Sequence, residues 1–264
     1  MLIIDTHTHA GLNWFQPVET LLDEMNMNGV TGAVLVQHAG SYDNTYLFEC
    51  EKRFPGRFKV AVQVDPQDPK PEGTLERLRR QGAAGVRFYP ASKFKTKDPY
   101  AMWKRAGELG MVVTTGGSGR ADGFASKSFK KVLDACPDTH VQIEHLAGVG
   151  ITDPPYTDYE SALECAQWPN TSIKVPGLGE IVRRPAVLPV AYPFHKYPPL
   201  FEMALEAFGA KRMVWGSDFP PSAGLEGYRN ALEGVRNYPA FKKGGVIEWI
   251  LGKTAARVWG FAVM

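Results

Sequence analysis

The sequence predicts a single (β/α)8 barrel, a TIM barrel occupying residues 1–264, on three observations. The length of 264 residues suits one such barrel. Eight short apolar runs alternate with amphipathic stretches. Residues suited to chemistry fall at the ends of those runs, where barrels of this kind place their sites.

The runs are 2–5, 33–36, 59–64, 85–89, 111–115, 140–144, 171–175 and 212–215. They are rich in Val and Ile and mostly lack polar alternation, the pattern of strands covered on both faces. Between them, 17–28 carries Leu21, Leu22 and Met25, 71–81 carries Leu75 and Leu78, and 99–109 carries Met102, Trp103 and Ala106. Each opens near a proline and closes before a glycine, as helices do. Eight strands alternating with helices imply βαβ units. The count favours a closed barrel over an open sheet, and no G-x-G-x-x-G follows the first run to suggest a dinucleotide. The segment 176–199 breaks the rhythm. It is rich in proline, long for a strand-to-helix connection, and placed to act as a lid or a rigid surface excursion.

Composition narrows the function. Hydrophobic residues make up 44% and charged residues 22%, so the chain reads as an ordinary globular protein. A formal net charge of +2 without basic runs gives no reason to expect nucleic acid or a membrane as partner. Cys50, Cys136 and Cys165 are odd in number and unrelated in spacing, which disfavours disulfides and thiolate zinc sites and suits a cytoplasmic setting. No apolar run approaches the roughly 20 residues of a membrane span. The expected partner is a small, anionic substrate, and a homo-oligomer is compatible with the pattern.

The chemical signals converge on one end of the predicted barrel. His7 and His9 are two apart on the first strand and share a face; neutral imidazoles bind zinc and related ions. Asp218 ends the eighth strand, which closure sets beside the first, so it is placed to bind the same ion or to take a proton from water. His145 ends the sixth strand, suited to polarising a carbonyl, shuttling a proton or completing a metal shell. Arg87 ends the fourth and suits a substrate carboxylate. His38 ends the second strand at the same mouth, and Lys174, ending the seventh, adds positive charge for an anionic substrate if it is not simply solvated like Lys93 and Lys95. His140 belongs to the opposite end, and His195 to the proline-rich segment as a lid or exposed residue.

These motifs resemble the amidohydrolase superfamily, specifically its amidohydrolase-2 branch. The resemblance runs nearly end to end and rests on DTHTH at 5–9, AVLVQ at 33–37, GVRF at 85–88, IEHLAG at 143–148, VWGSDFP at 214–220 and ILGKTAARVWGF at 250–261. Within the branch the pattern is most similar to the 2-pyrone-4,6-dicarboxylate and sugar-lactone hydrolases. The resemblance implies a single divalent ion, zinc first, on His7, His9 and Asp218, with metal-independent catalysis left open. The fifth strand departs from the metal-binding pattern: it reads MVVTTGG at 111–117 where many relatives place a histidine. The fourth strand ends without a bridging lysine, which argues against a binuclear centre. The expected function is hydrolysis of a lactone or similar cyclic ester, with Asp218 activating water and His145 aiding the oxyanion. The alternatives are a metal-dependent decarboxylase of an unsaturated acid and a barrel that binds without catalysis.

Overall fold

The computed structural model describes residues 1–116, 121–192, 194 and 196–262. Eight strands run β1 (Ile4–Thr8), β2 (Gly32–Val36), β3 (Phe58–Val62), β4 (Gly85–Phe88), β5 (Val112–Thr115), β6 (Val141–Ile143), β7 (Thr171–Val175) and β8 (Met213–Trp215). All are parallel and neighbours in sequence order. The ring nearly closes between β8 and β1: a parallel bridge joins Thr8 to Phe219, and the His9 N–H donates to the Phe219 carbonyl at 2.8 Å. The predicted barrel is therefore the observed fold.

The longer helices are α1 (Val18–Asn28), α2 (Thr45–Arg53), α3 (Pro71–Arg80), α4 (Ala101–Glu108), α5 (Lys127–Ala135), α6 (Thr157–Leu163), α7 (Leu200–Phe208), α8 (Tyr228–Arg236) and α9 (Thr254–Trp259). In α1 the buried residues Val18, Leu21, Leu22 and Met25 follow helical spacing and face the sheet. The helix stops at Gly29, whose left-handed φ of 69° lets its N–H reach back to the last carbonyls.

Two apolar cores result. The larger lies between sheet and helices and includes Leu35, Val62, Phe88, Val113, Ile143, Ile173 and Trp215. The smaller fills the N-terminal end of the barrel interior with Ile4, Val34, Ala61, Val112 and Val214, plugged from below by Trp259 and Phe261. Gly32 and Gly85 make room for that plug, because a Cβ at either would sit within 2.7 Å of Phe261 or 2.6 Å of Trp259. The closing motif thus seals the floor of the barrel.

The first strand differs from expectation. It runs Ile4–Thr8 rather than 2–5, because Asp5 does not end it. The Asp5 carboxylate is buried yet accepts the backbone N–H of Ser217 at 2.9 Å and of His7 at 3.2 Å, so a charge sits inside the strand.

Candidate active site

A register slip aims the histidine pair. In β1, Ile4 pairs with Gly32 and Asp5 with Ala33, but Thr8 pairs with Leu35, so β1 carries one extra residue in between. Simple alternation from inward-facing Ile4 would turn Thr6 and Thr8 into the barrel. The bulge shifts the phase and turns in His7 and His9 instead. His9 donates Nδ1–H to the Val36 carbonyl at 2.7 Å, which leaves its Nε2 facing the mouth. The Nε2 atoms of His7 and His9 lie 3.2 Å apart.

Asp218 arrives from the far end of the chain, as closure requires. Its Oδ1 is 3.4 Å from His7 Nε2 and 3.2 Å from His9 Nε2, and its N–H donates to the His7 carbonyl at 2.9 Å. Its backbone holds φ at 56°, a left-handed setting costly for a side chain with a Cβ. His145, Leu146 and Ala147 adopt the same region in succession, with φ of 49°, 48° and 59°. Among the described residues, positive φ outside glycine occurs only at these four and at Phe15, whose ring stacks on His9 at 5.2 Å. Strain is concentrated where the functional groups are aimed.

The His145 ring centroid lies 4.5 Å from that of His7, and its Nδ1–H donates to Glu180 Oε2 at 2.8 Å. Burial alone would lower the His145 pKa, but Glu180 and Asp218 outweigh it and raise it to about 9. Burial would raise Asp218, yet His145, His9 and Arg87 hold its carboxyl below the usual range. An ionised carboxylate and a protonated imidazole therefore border one cavity of about 230 Å³, lined by Glu144, His145, Gly148, Gly150, Glu180, Ile181 and Asp218.

Sequence reading missed the layer beneath. Glu144, just past β6, is fully buried and accepts hydrogen bonds from Arg87 at 2.8 Å and from Thr114 at 2.8 Å. Burial pushes its carboxyl up, but Arg87 and Lys174 prevail and hold it at about 2. Much of the Arg87 charge is thus spent inside the protein; its Nε has no partner among the described residues. A signal for Glu144 did exist, since it ends a strand run as Arg87 does. Glu180 ends a single 3-10 turn, Leu178–Glu180, inside the proline-rich segment and carried no signal at all.

Lys174 requires a correction. Neither a solvated lysine nor one open to substrate, it has no exposure and its Nζ lies 2.7 Å from His7 Nδ1 and 3.4 Å from Thr114 Oγ1. Its place on an inward position of β7, beneath the mouth, explains the difference. Burial pulls its pKa down to about 8, with Glu144 opposing. Lys93 and Lys95 are exposed, as expected.

His38 stands at the mouth beside Phe15, ring centroids 5.6 Å apart, with its Nδ1 buried and unpartnered among the described residues. His140 precedes β6 at the opposite end, bonded to Ser172 at 2.9 Å. The fifth strand offers Thr114 and Thr115 in place of an imidazole. Within 176–199, Glu180 reaches the site through the His145 contact, whereas His195 lies outside the described residues, as does Gly117. The three cysteines are free and buried.

His7, His9 and Asp218 offer one ligand atom each within 4.8 Å of one another. Their mutual distances of 3.2, 3.4 and 3.2 Å match the spacing of about 3.3 Å set by a tetrahedral ion with nitrogen bonds of about 2.0–2.1 Å. The outer nitrogen of His9 also makes the bond to a carbonyl that orients a ligating imidazole. The donor set fits a single divalent ion.

The model of the amidohydrolase family matches residues 4–261, nearly the whole chain. The chain belongs to the amidohydrolase family. Comparison of this amidohydrolase with curated protein sequences gives no match. Among solved structures it resembles an amidohydrolase from Burkholderia multivorans with bound zinc, at TM-score 0.79 and 17% identity, covering 99% of this chain and 100% of that one. A candidate 2-pyrone-4,6-dicarboxylic acid hydrolase from Pseudomonas putida gives 0.74 and 19%, covering 100% and 99%. The 5-carboxyvanillate decarboxylase from Novosphingobium aromaticivorans, complexed with manganese, gives 0.69 and 12%, covering 98% and 96%. At these identities the likeness establishes the fold.

Proposed function

We propose that this amidohydrolase opens a lactone or similar cyclic ester of a small carboxylated or hydroxylated molecule. The observation that carries the reading is the pairing of an ionised Asp218 with a protonated His145 across one cavity. Ester hydrolysis needs both groups together: a base to take a proton from water and a donor to meet the charge that leaves.

Asp218 takes a proton from a water molecule as its oxygen bonds to the ester carbonyl carbon. Negative charge develops on the former carbonyl oxygen, where His7 and His145 stabilise it. Collapse of that intermediate breaks the ring C–O bond, and His145 gives its proton to the departing alkoxide. The proton on Asp218 then returns to His145, and the new carboxylic acid ionises to solvent. Glu180 prepares His145 as the donor by holding its Nδ1–H. His38 and Arg87 stand where they would orient the rest of the substrate. A divalent ion on His7, His9 and Asp218, zinc first among the choices, would polarise the carbonyl or acidify water when bound.

The test is proton release from a panel of sugar lactones and pyrone carboxylates, with chelator-treated and untreated protein. Turnover that survives chelation assigns the chemistry to side chains alone. Turnover lost and restored by zinc assigns a share to the ion. Carbon dioxide release from unsaturated acids without ring opening would replace the hydrolase reading with the decarboxylase one. No turnover on any of these would leave the barrel as a binding protein.

A further inference from the structure

The lactonase reading leaves one buried group without a part, Lys174. We propose that Lys174 fixes the imidazole of His7 with its hydrogen on Nε2, facing the mouth, and thereby holds down the affinity of the His7–His9–Asp218 cluster for a divalent cation. The inference does not depend on which reaction the site performs.

Lys174 has no solvent exposure, and its Nζ lies 2.7 Å from His7 Nδ1 and 3.4 Å from Thr114 Oγ1. An ammonium has only hydrogens to offer, so the His7 Nδ1 it meets must supply the lone pair. A neutral imidazole carries one hydrogen, which then sits on Nε2. A metal ligand needs the reverse arrangement, a lone pair at Nε2 with the outer nitrogen donating to a carbonyl or carboxylate.

The neighbouring histidine makes the contrast. His9 donates its Nδ1–H to the Val36 carbonyl at 2.7 Å and is set for ligation. His7 meets a donor in the same position and is set against it. The lysine is held there by its surroundings. A Cβ on Gly216 would lie 2.8 Å from both the Lys174 shaft and the His7 Cβ, so a glycine is what lets the two side chains meet. Glu144 Oε1, 3.8 Å from His7 Nδ1, supplies nearby negative charge for the ammonium. With Nε2–H aimed at the mouth, His7 serves as a hydrogen-bond donor, and an ion can use it only by displacing that hydrogen.

Metal-stripped protein is titrated with cobalt(II), followed by visible absorption, for the native chain and for Lys174→Met and Lys174→Gln. Both variants are expected to bind cobalt roughly tenfold or more tightly than the native chain, the scale on which partners of a ligating histidine act. Nitrogen-15 NMR of the metal-free native chain, with His7 assigned by comparison with His7→Gln, is expected to find the hydrogen on Nε2. Folded variants, checked by circular dichroism, that bind cobalt equally or more weakly would overturn the proposal. So would a hydrogen on Nδ1 of His7. If neither variant folds, the NMR measurement on the native chain decides alone.

Discussion

The two ends of the barrel interior are built from the same eight strands and filled in opposite ways. At the N-terminal end, Ile4, Val34, Ala61, Val112 and Val214 pack on Trp259 and Phe261, an apolar plug. At the C-terminal end, His7, Arg87, Thr114, Glu144 and Lys174 occupy the interior as a hydrogen-bonded charge network under Asp218 and His145. The floor gains stability from area removed from water. The mouth spends it, on buried charges and on four residues held in left-handed backbone. Stability and chemistry are divided along the strand axis, so a substitution at one end should leave the other end's property largely untouched.

Four substitutions test that division. Asp218→Asn keeps the shape and removes the base; kcat should fall by about 10³-fold or more, while the thermal midpoint moves little. A variant retaining most of its kcat would remove Asp218 from the proton-transfer step. Trp259→Ala should do the opposite, losing about 3–5 kcal/mol of stability in denaturant unfolding with kcat per folded molecule unchanged. An equal collapse of kcat would mean that floor and mouth are coupled.

The pH profile gives a finer test. Asp218 must be ionised and His145 protonated, so activity should rise below the usual carboxylate range, stay flat, and fall above about 9 as His145 loses its proton. Glu180→Gln removes a negative charge that favours the imidazolium, so the alkaline fall should move to lower pH while the acid rise stays near its place. An unmoved alkaline limb would separate Glu180 from His145. The smallest effect belongs to the rim: Lys93→Ala, at an exposed position, should change stability by no more than about 0.5 kcal/mol, and a larger loss in unfolding would show that the rim lysine is tied into the structure.

Some of this was legible in the residues and some was not. α1 and α3 were readable because apolar spacing, proline and glycine all agree there. β1 was misread because a buried charge looks like a strand end until its partner, the Ser217 amide, is known. The convergence of His7, His9 and Asp218 followed from closure of eight strands. Glu144 was overlooked although it follows a strand only two along from that of Arg87, because nothing in the sequence says that the two side chains meet inside the ring.

The sequence therefore carries the barrel and the gathering of His7, His9, His145 and Asp218 at one end of it. Those are set by local period and by strand count. The tertiary structure alone decided how the groups are prepared. The one-residue bulge in β1 turns the histidines inward, Glu180 raises His145, and Lys174 is buried against His7. Each depends on contacts between residues far apart in the chain, and protonation depends on burial and neighbouring charge, which no local pattern records.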